Sequence, residues 1–262
     1  MTTFDKIKYT NKYIKFIHLI HLLHLIPKRK VKDYQFDIHE TTRQYDNIKV
    51  LASGPSANKC KLSKNSLYIT TNSSYLKLDK SSAFIHIIKD IGYLHKFLLF
   101  GLKYKPKLLI LDVNTHSNGQ GMGAKSIKLI NTFLERRKYD YPVVVTDNEN
   151  ILKINKRTYR NNITDFLKKE SLPTWHSNSG ELIYRYGLWL SVVNNIPQLD
   201  IYGIDAGEGG NIHFDGRTTA NNHVAFRDKN KIKMGDFFEL CQSKFNHIKN
   251  YSHFKNNTDE TT

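Results

Sequence analysis

The chain has little cysteine, proline or acid. Of 262 residues only 2 are cysteine and 6 are proline, and 24 acidic side chains face 40 lysines and arginines. The cysteines, Cys60 and Cys241, are far apart and stand in no metal-ligand spacing. That excludes a disulfide-stapled scaffold and points to a reducing compartment. So few prolines exclude a polyproline or collagen-like chain. No apolar run is long enough to cross a bilayer, which takes about 20 residues, and no small-residue cleavage site marks a signal peptide. With hydrophobic residues at 39% and aromatics at 12%, the chain is not disordered, and its length suits one domain with an appendage.

The shortage of acid leaves a formal charge of +16 and an isoelectric point near 9.6. Such a charge suits nucleic acid, an anionic membrane surface or an anionic substrate. Zinc-finger spacing, aromatic RNP-type strands and a helix-turn-helix signature are all missing, so nucleic acid is not an expected partner.

Residues 13–26, YIKFIHLIHLLHLI, are densely apolar, with His18, His21 and His24 in one stripe. Pro27 and then Lys28, Arg29, Lys30 and Lys32 follow. This segment suits a helix lying in an anionic membrane interface. It suits equally a packing helix or a contact between copies in a homo-oligomer, and a metal reading of the histidines is the weakest. The pattern divides the chain into an N-terminal extension (1–46), a main domain (47–252) with a lid near 206–232, and a disordered tail (253–262).

From Ile48 onward, short β-rich runs alternate with helical ones. Strands are expected at Ile48–Ala52, Leu67–Thr71, Ala83–Ile88, Lys107–Val113, Tyr141–Thr146 and Leu199–Gly203. Helices are expected at Ile91–Leu102, Ala124–Lys138, Ile163–Lys169, Gly180–Asn195 and Met234–Tyr251. This alternation predicts an α/β fold, Rossmann-like, with a mostly parallel sheet flanked by helices. Ligands of such sheets bind beyond the carboxyl ends of the strands.

Three blocks fall at those ends. Ser53, Gly54, Pro55 and Ser56 follow the first strand, offering hydroxyls, a close backbone approach and free N–H groups for an anion. Asn72 ends the second strand at the same edge. Asn178, Ser179 and Gly180 open a well-capped helix, with Glu181 in its first turn. The third block leaves a strand through Gly203, Ile204 and Asp205 into a glycine-rich loop with His213, Asp215, Arg217, Asn221, Asn222 and His223. Histidines there suit general acid or base work. A purely structural loop and a zinc site remain open alternatives.

In order and spacing, from Ile48 to Phe226, these blocks resemble the bacterial sialyltransferases of glycosyltransferase family 42. Ala52-Ser53-Gly54-Pro55-Ser56 matches the family's G-x-G-P-S, and Asn72 with Tyr75 its strand-ending asparagine and aromatic. Asn178-Ser179-Gly180 matches T-S-G, Tyr202-Gly203-Ile204-Asp205 matches S-G-I-D, and His223 in ANNHVAF falls where the catalytic histidine stands. The resemblance implies inverting, metal-independent transfer of sialic acid from a CMP-activated donor to a glycan or glycolipid acceptor at the inner face of the cytoplasmic membrane. It implies His223 as the base, and Gly54, Ser56, Asn72, Ser179 and Gly180 around CMP, with Asp205 shaping the pocket. A nucleoside monophosphate leaving group presents no diphosphate, and the chain carries no D-x-D motif. No cofactor or metal is therefore expected. The chain departs from the family at Ser53, where an asparagine is usual, near Gly207 and His213, where tyrosines are usual, and at His176, where an arginine is usual. These departures leave CMP-Kdo, another activated sugar, or nucleotide binding and hydrolysis without transfer as alternatives.

Overall fold

A computed structural model describes residues 37–89, 93–94, 96–97, 104–112, 141–147, 150–152, 163–174, 178–205, 212–218 and 234–252. The apolar segment 13–26, the helix expected at Ala124–Lys138, most of the lid, His176, His223 and the tail lie outside them. The chain divides into two compact units. The larger takes in Asp37–Ile87 and the part from Asn161 onward, and Ile88–Arg160 belongs to the smaller.

The larger unit is built on parallel strands β1 (Asn47–Leu51), β2 (Ser66–Thr71), β3 (Ala83–Ile88), β7 (Gln198–Tyr202) and β8 (Ile248–Asn250). They pair in the order β3-β2-β1-β7-β8. Side chains alternate between the two faces of a strand. On one face Ile48, Val50, Leu67, Ile69, Leu199 and Ile201 stand in register, all fully buried.

Against that face packs the long helix α3 (Ser179–Val193), buried around nearly its whole circumference. Gly187 makes the approach possible: a Cβ there would stand 2.5 Å from Val50 Cγ2 and 3.2 Å from Leu199 Cδ1. The two buried charged side chains of the helix pair with each other. Glu181 and Arg185, one turn apart, meet at 2.5 Å, and Arg185 also donates to the Pro173 carbonyl and lies 4.0 Å over the Phe237 ring.

The opposite face carries Lys49, Tyr68 and Asp200 in register. Lys49 Nζ donates to the Lys61 carbonyl at 2.8 Å, and the Asp200 carboxylate accepts from Asn47 at 2.9 Å and Gln198 at 2.8 Å. These partners are what let polar groups be buried in a sheet.

Residues 37–46, read from sequence as part of the extension, carry a short helix α1 (Ile38–Thr42) that is tied to the larger unit. Asp37 caps it, accepting from His39 N at 2.8 Å and Glu40 N at 3.1 Å. Ile38 and Thr42 are buried, and the His39 ring meets Trp189 edge-on at 5.2 Å. A further helix, α2, runs Ile163–Lys169 as expected.

The helix expected at Met234–Tyr251 is shorter. It covers 234–244, and the chain then turns at residues 246–247 into β8. The edge of β7 decides this: Leu199 N takes the His247 carbonyl at 3.0 Å and Tyr251 N donates to Ile201 O at 2.9 Å. Tyr251 then stacks on Tyr202 at 4.8 Å with an interplanar angle of 4°.

The smaller unit contains β4 (Leu108–Asp112) and β5 (Val143–Asp147) in parallel, with β6 (Asn150–Leu152) antiparallel to β5. β6 had no sequence signal. Among the described residues no helix is long and apolar enough to cross a membrane.

Candidate functional site

Strand order reverses about β1, whose neighbours are β2 on one side and β7 on the other. Such a reversal is where open α/β sheets bind ligands. At this edge the chain leaving β1 and the chain leaving β7 are fastened together. Gly54 N donates to Gly203 O at 2.8 Å, and a Cβ on Gly54 would stand 2.3 Å from Asp205 Oδ2 and 2.7 Å from Gly203 O. Gly203 has φ +75°, and a Cβ on it would lie 2.5 Å from the Ala52 carbonyl oxygen. Only glycine fits both positions.

Pro55 opens a 3-10 turn over Pro55–Lys59, which aims Ser56 back at β7. Ser56 N donates to Asp205 Oδ2 at 2.8 Å, Ser56 Oγ donates to Asp205 Oδ1, and Gly203 N donates to Ser56 Oγ at 2.8 Å. Ser56 is fully buried and Asp205 is 3% exposed. Ser56, expected to face the nucleotide, and Asp205, expected to shape its pocket, therefore spend these groups on each other. They form a latch that shapes the edge.

Beside the latch, Asn72 ends β2 with φ +54°, a conformation that asparagine tolerates better than most residues. Its Nδ2 donates to Ser179 Oγ at 3.1 Å, joining the end of β2 to the start of α3. Asn178 is the N-cap of α3, its side chain accepting from Glu181 N at 2.9 Å. Gly180 is close to Ile204: a Cβ there would lie 3.5 Å from Ile204 Cγ2. The start of a 15-residue helix is thereby held next to the ends of β2 and β7, and the positive end of a helix dipole favours an anion.

A small hairpin, residues 212–218, covers the ends of β1 and β2. It closes on itself through His213 N to Arg217 O at 2.7 Å and Gly216 N to His213 O at 2.9 Å, with Gly216 at φ +78°. Toward β1, Phe214 N donates to Ser53 O at 2.9 Å, and His213 Nδ1 lies 3.1 Å from Ser53 Oγ and 3.3 Å from Ser53 O. Toward β2, Arg217 donates to Ser73 Oγ, while its Nε meets Asp215 at 2.6 Å. Asn58 supports the hairpin from below, donating to Phe214 O at 3.2 Å and accepting from Lys77 Nζ at 3.1 Å.

Ser53, Gly54, Pro55, Ser56, Asn72, Asn178, Ser179, Gly180, Asp205 and His213 thus gather at one edge of one unit. Ser53 and His213, both departures from the resembled family pattern, touch each other. Arg217 stood in the third block without a role of its own, and its partner Ser73, like Asn58 and Lys77, was not singled out. The short Asp-x-Arg spacing hinted at the Asp215–Arg217 ion pair alone, and nothing local signalled the contact with Ser73 or that of Asn58 with Lys77. Tyr202, just before Gly203, has its phenol pushed well above the usual range, by burial first and by Asp200 next, so it acts here as packing.

The fold and this edge define a Rossmann-like α/β protein with a polar site at the carboxyl ends of its parallel strands. No protein-family model matches the chain, and neither does any curated protein or solved structure.

Proposed function

We propose that the chain is an inverting, metal-independent glycosyltransferase that takes a sugar, sialic acid foremost, from a CMP-activated donor to a bacterial surface glycan or glycolipid. One observation carries the reading. Three elements suited to a nucleotide phosphate converge at one sheet edge beside a histidine: the loop after β1, Asn72 at the end of β2, and the capped N-terminus of α3.

In this reading Ser53, Asn72, Ser179 and Gly180 face CMP, whose single phosphate is met by helix N–H groups. Gly54, Pro55, Ser56 and Asp205 hold the edge in shape rather than touching the donor. A histidine handles the proton of the acceptor hydroxyl. The basic charge and the segment 13–32 would keep the enzyme at the inner face of the cytoplasmic membrane, near a lipid-linked acceptor.

The test is a thermal-shift and calorimetric screen of the full chain against CMP, UDP, GDP and their sugars. A ligand at 100 times its Kd stabilises the folded state by about 2.7 kcal/mol. A shift specific to CMP and CMP-sialic acid is expected, weakened in Asn72→Ala and Ser179→Ala. A preference for UDP or GDP overturns the donor assignment. CMP binding with release of free sugar, and no transfer to any glycan, would make the chain a hydrolase.

A further inference from the structure

We infer that Ser53 is a positioning residue that keeps the proton of His213 on Nδ1, so that Nε2 of the neutral ring is the site's proton acceptor. This deepens the transferase reading and rests on it.

Two oxygens of Ser53 lie within hydrogen-bond reach of His213 Nδ1, the hydroxyl at 3.1 Å and the carbonyl at 3.3 Å. A carbonyl oxygen can only accept, so it is matched by an Nδ1 that carries hydrogen. The hydroxyl accepts or donates as required. A neutral imidazole has one N–H, and placing it on Nδ1 leaves Nε2 with its lone pair.

The ring is not at liberty to turn away. Its backbone is fixed on both sides, by His213 N to Arg217 O at 2.7 Å and Gly216 N to His213 O at 2.9 Å, and Phe214 N ties the hairpin to Ser53 O at 2.9 Å. Among the described residues, the charged groups on the surrounding elements include Asp215 and Arg217, paired at 2.6 Å on the hairpin, Asp205 behind Gly54, and Lys77 beneath Asn58.

In transfer, the acceptor hydroxyl oxygen forms the new bond to the anomeric carbon as its proton passes to Nε2. The bond from that carbon to the phosphate oxygen breaks, and its electron pair leaves with CMP. The imidazolium then carries both protons, and the two Ser53 oxygens face the Nδ1–H of the charged ring.

Long-range 1H–15N spectra of the labelled full chain, assigned by the signals missing from His213→Gln, decide the tautomer above the ring's pKa. The expected result is a proton on Nδ1, with Ser53→Ala shifting population toward Nε2–H. Dominant Nε2–H in the wild type overturns the inference. In kinetics with CMP-sialic acid and a galactose-terminated acceptor, kcat should rise with pH along a limb that vanishes in His213→Gln. Ser53→Ala should lower kcat about tenfold, a fraction of what a general base supplies. A His213-dependent limb that falls with rising pH would make the ring an acid and overturn the inference. A chain that turns over no CMP-sugar refutes the transferase reading, and the 15N spectra still rule on the tautomer.

Discussion

Replacing Asp205 by alanine separates a latch from a ligand contact. The carboxylate accepts from Ser56 N at 2.8 Å and from Ser56 Oγ, and both groups are buried. Removing it strands two donors, each worth about 1–3 kcal/mol when left unsatisfied. The whole should come to about 3–5 kcal/mol, since Ser56 Oγ can partly re-orient. For a chain of this size each kcal/mol lowers Tm by roughly 2–4 °C, so a drop of about 6–20 °C is expected. Differential scanning calorimetry or urea titration reads it directly. Ser56→Ala should cost less, and Ser56→Ala with Asp205→Ala less than the sum of the two, because they remove one network. If Asp205→Ala melts within about 1 °C of wild type yet loses CMP affinity, the carboxylate is a ligand group and the latch argument is wrong.

Gly187→Ala should destabilise by about 1–3 kcal/mol through overpacking against Val50 and Leu199, although alanine is the better helix former; urea midpoints test it. His86 is fully buried and its Nδ1 lies 2.8 Å from Thr70 Oγ1; burial lowers its pKa from 6.5 to about 3. The folded ring therefore stays neutral while the unfolded chain takes up a proton below 6.5. Stability should be fully present above that pH and fall toward pH 3, by up to about 1.4 kcal/mol per unit from this group. His86→Gln should show a flatter dependence of urea midpoint on pH. Burial pushes the Cys60 thiol up to about 11 and the Cys241 thiol up to about 12. Both should resist a thiol reagent at neutral pH and react only as the chain unfolds, which mass spectrometry of labelled peptides along a denaturant series will follow.

Local chemistry was readable and long-range chemistry was not. The buried strands announced themselves as apolar runs, so β1, β2, β3 and β7 fall within a residue or so of their expected bounds. Asn178 could be read as an N-cap because its partner, Glu181 N, is three residues away. β8 could not: Phe237, Phe238, Cys241, Phe245 and Ile248 continue a helical spacing, and only the open edge of β7 pulls Ile248–Asn250 into a strand. Gly54 was expected to let the backbone approach a ligand closely, and what stands against it in the structure is Asp205 and the Gly203 carbonyl. The anchoring of Arg217 on Ser73 joins residues 144 apart and leaves no trace in either neighbourhood.

The latch also sets a timetable. Ser56 and Asp205 are 149 residues apart in sequence, yet each is the other's partner. A ribosome adding about 5–20 residues per second needs roughly 7–30 s to supply the second after the first. Throughout that interval the β7-facing border of β1 has no strand to pair with, and an unpaired border invites another chain. Newly made copies crowded on one message would therefore be most vulnerable to each other before Gln198–Tyr202 emerges, and slowing synthesis between the two halves should raise the aggregated fraction rather than lower it.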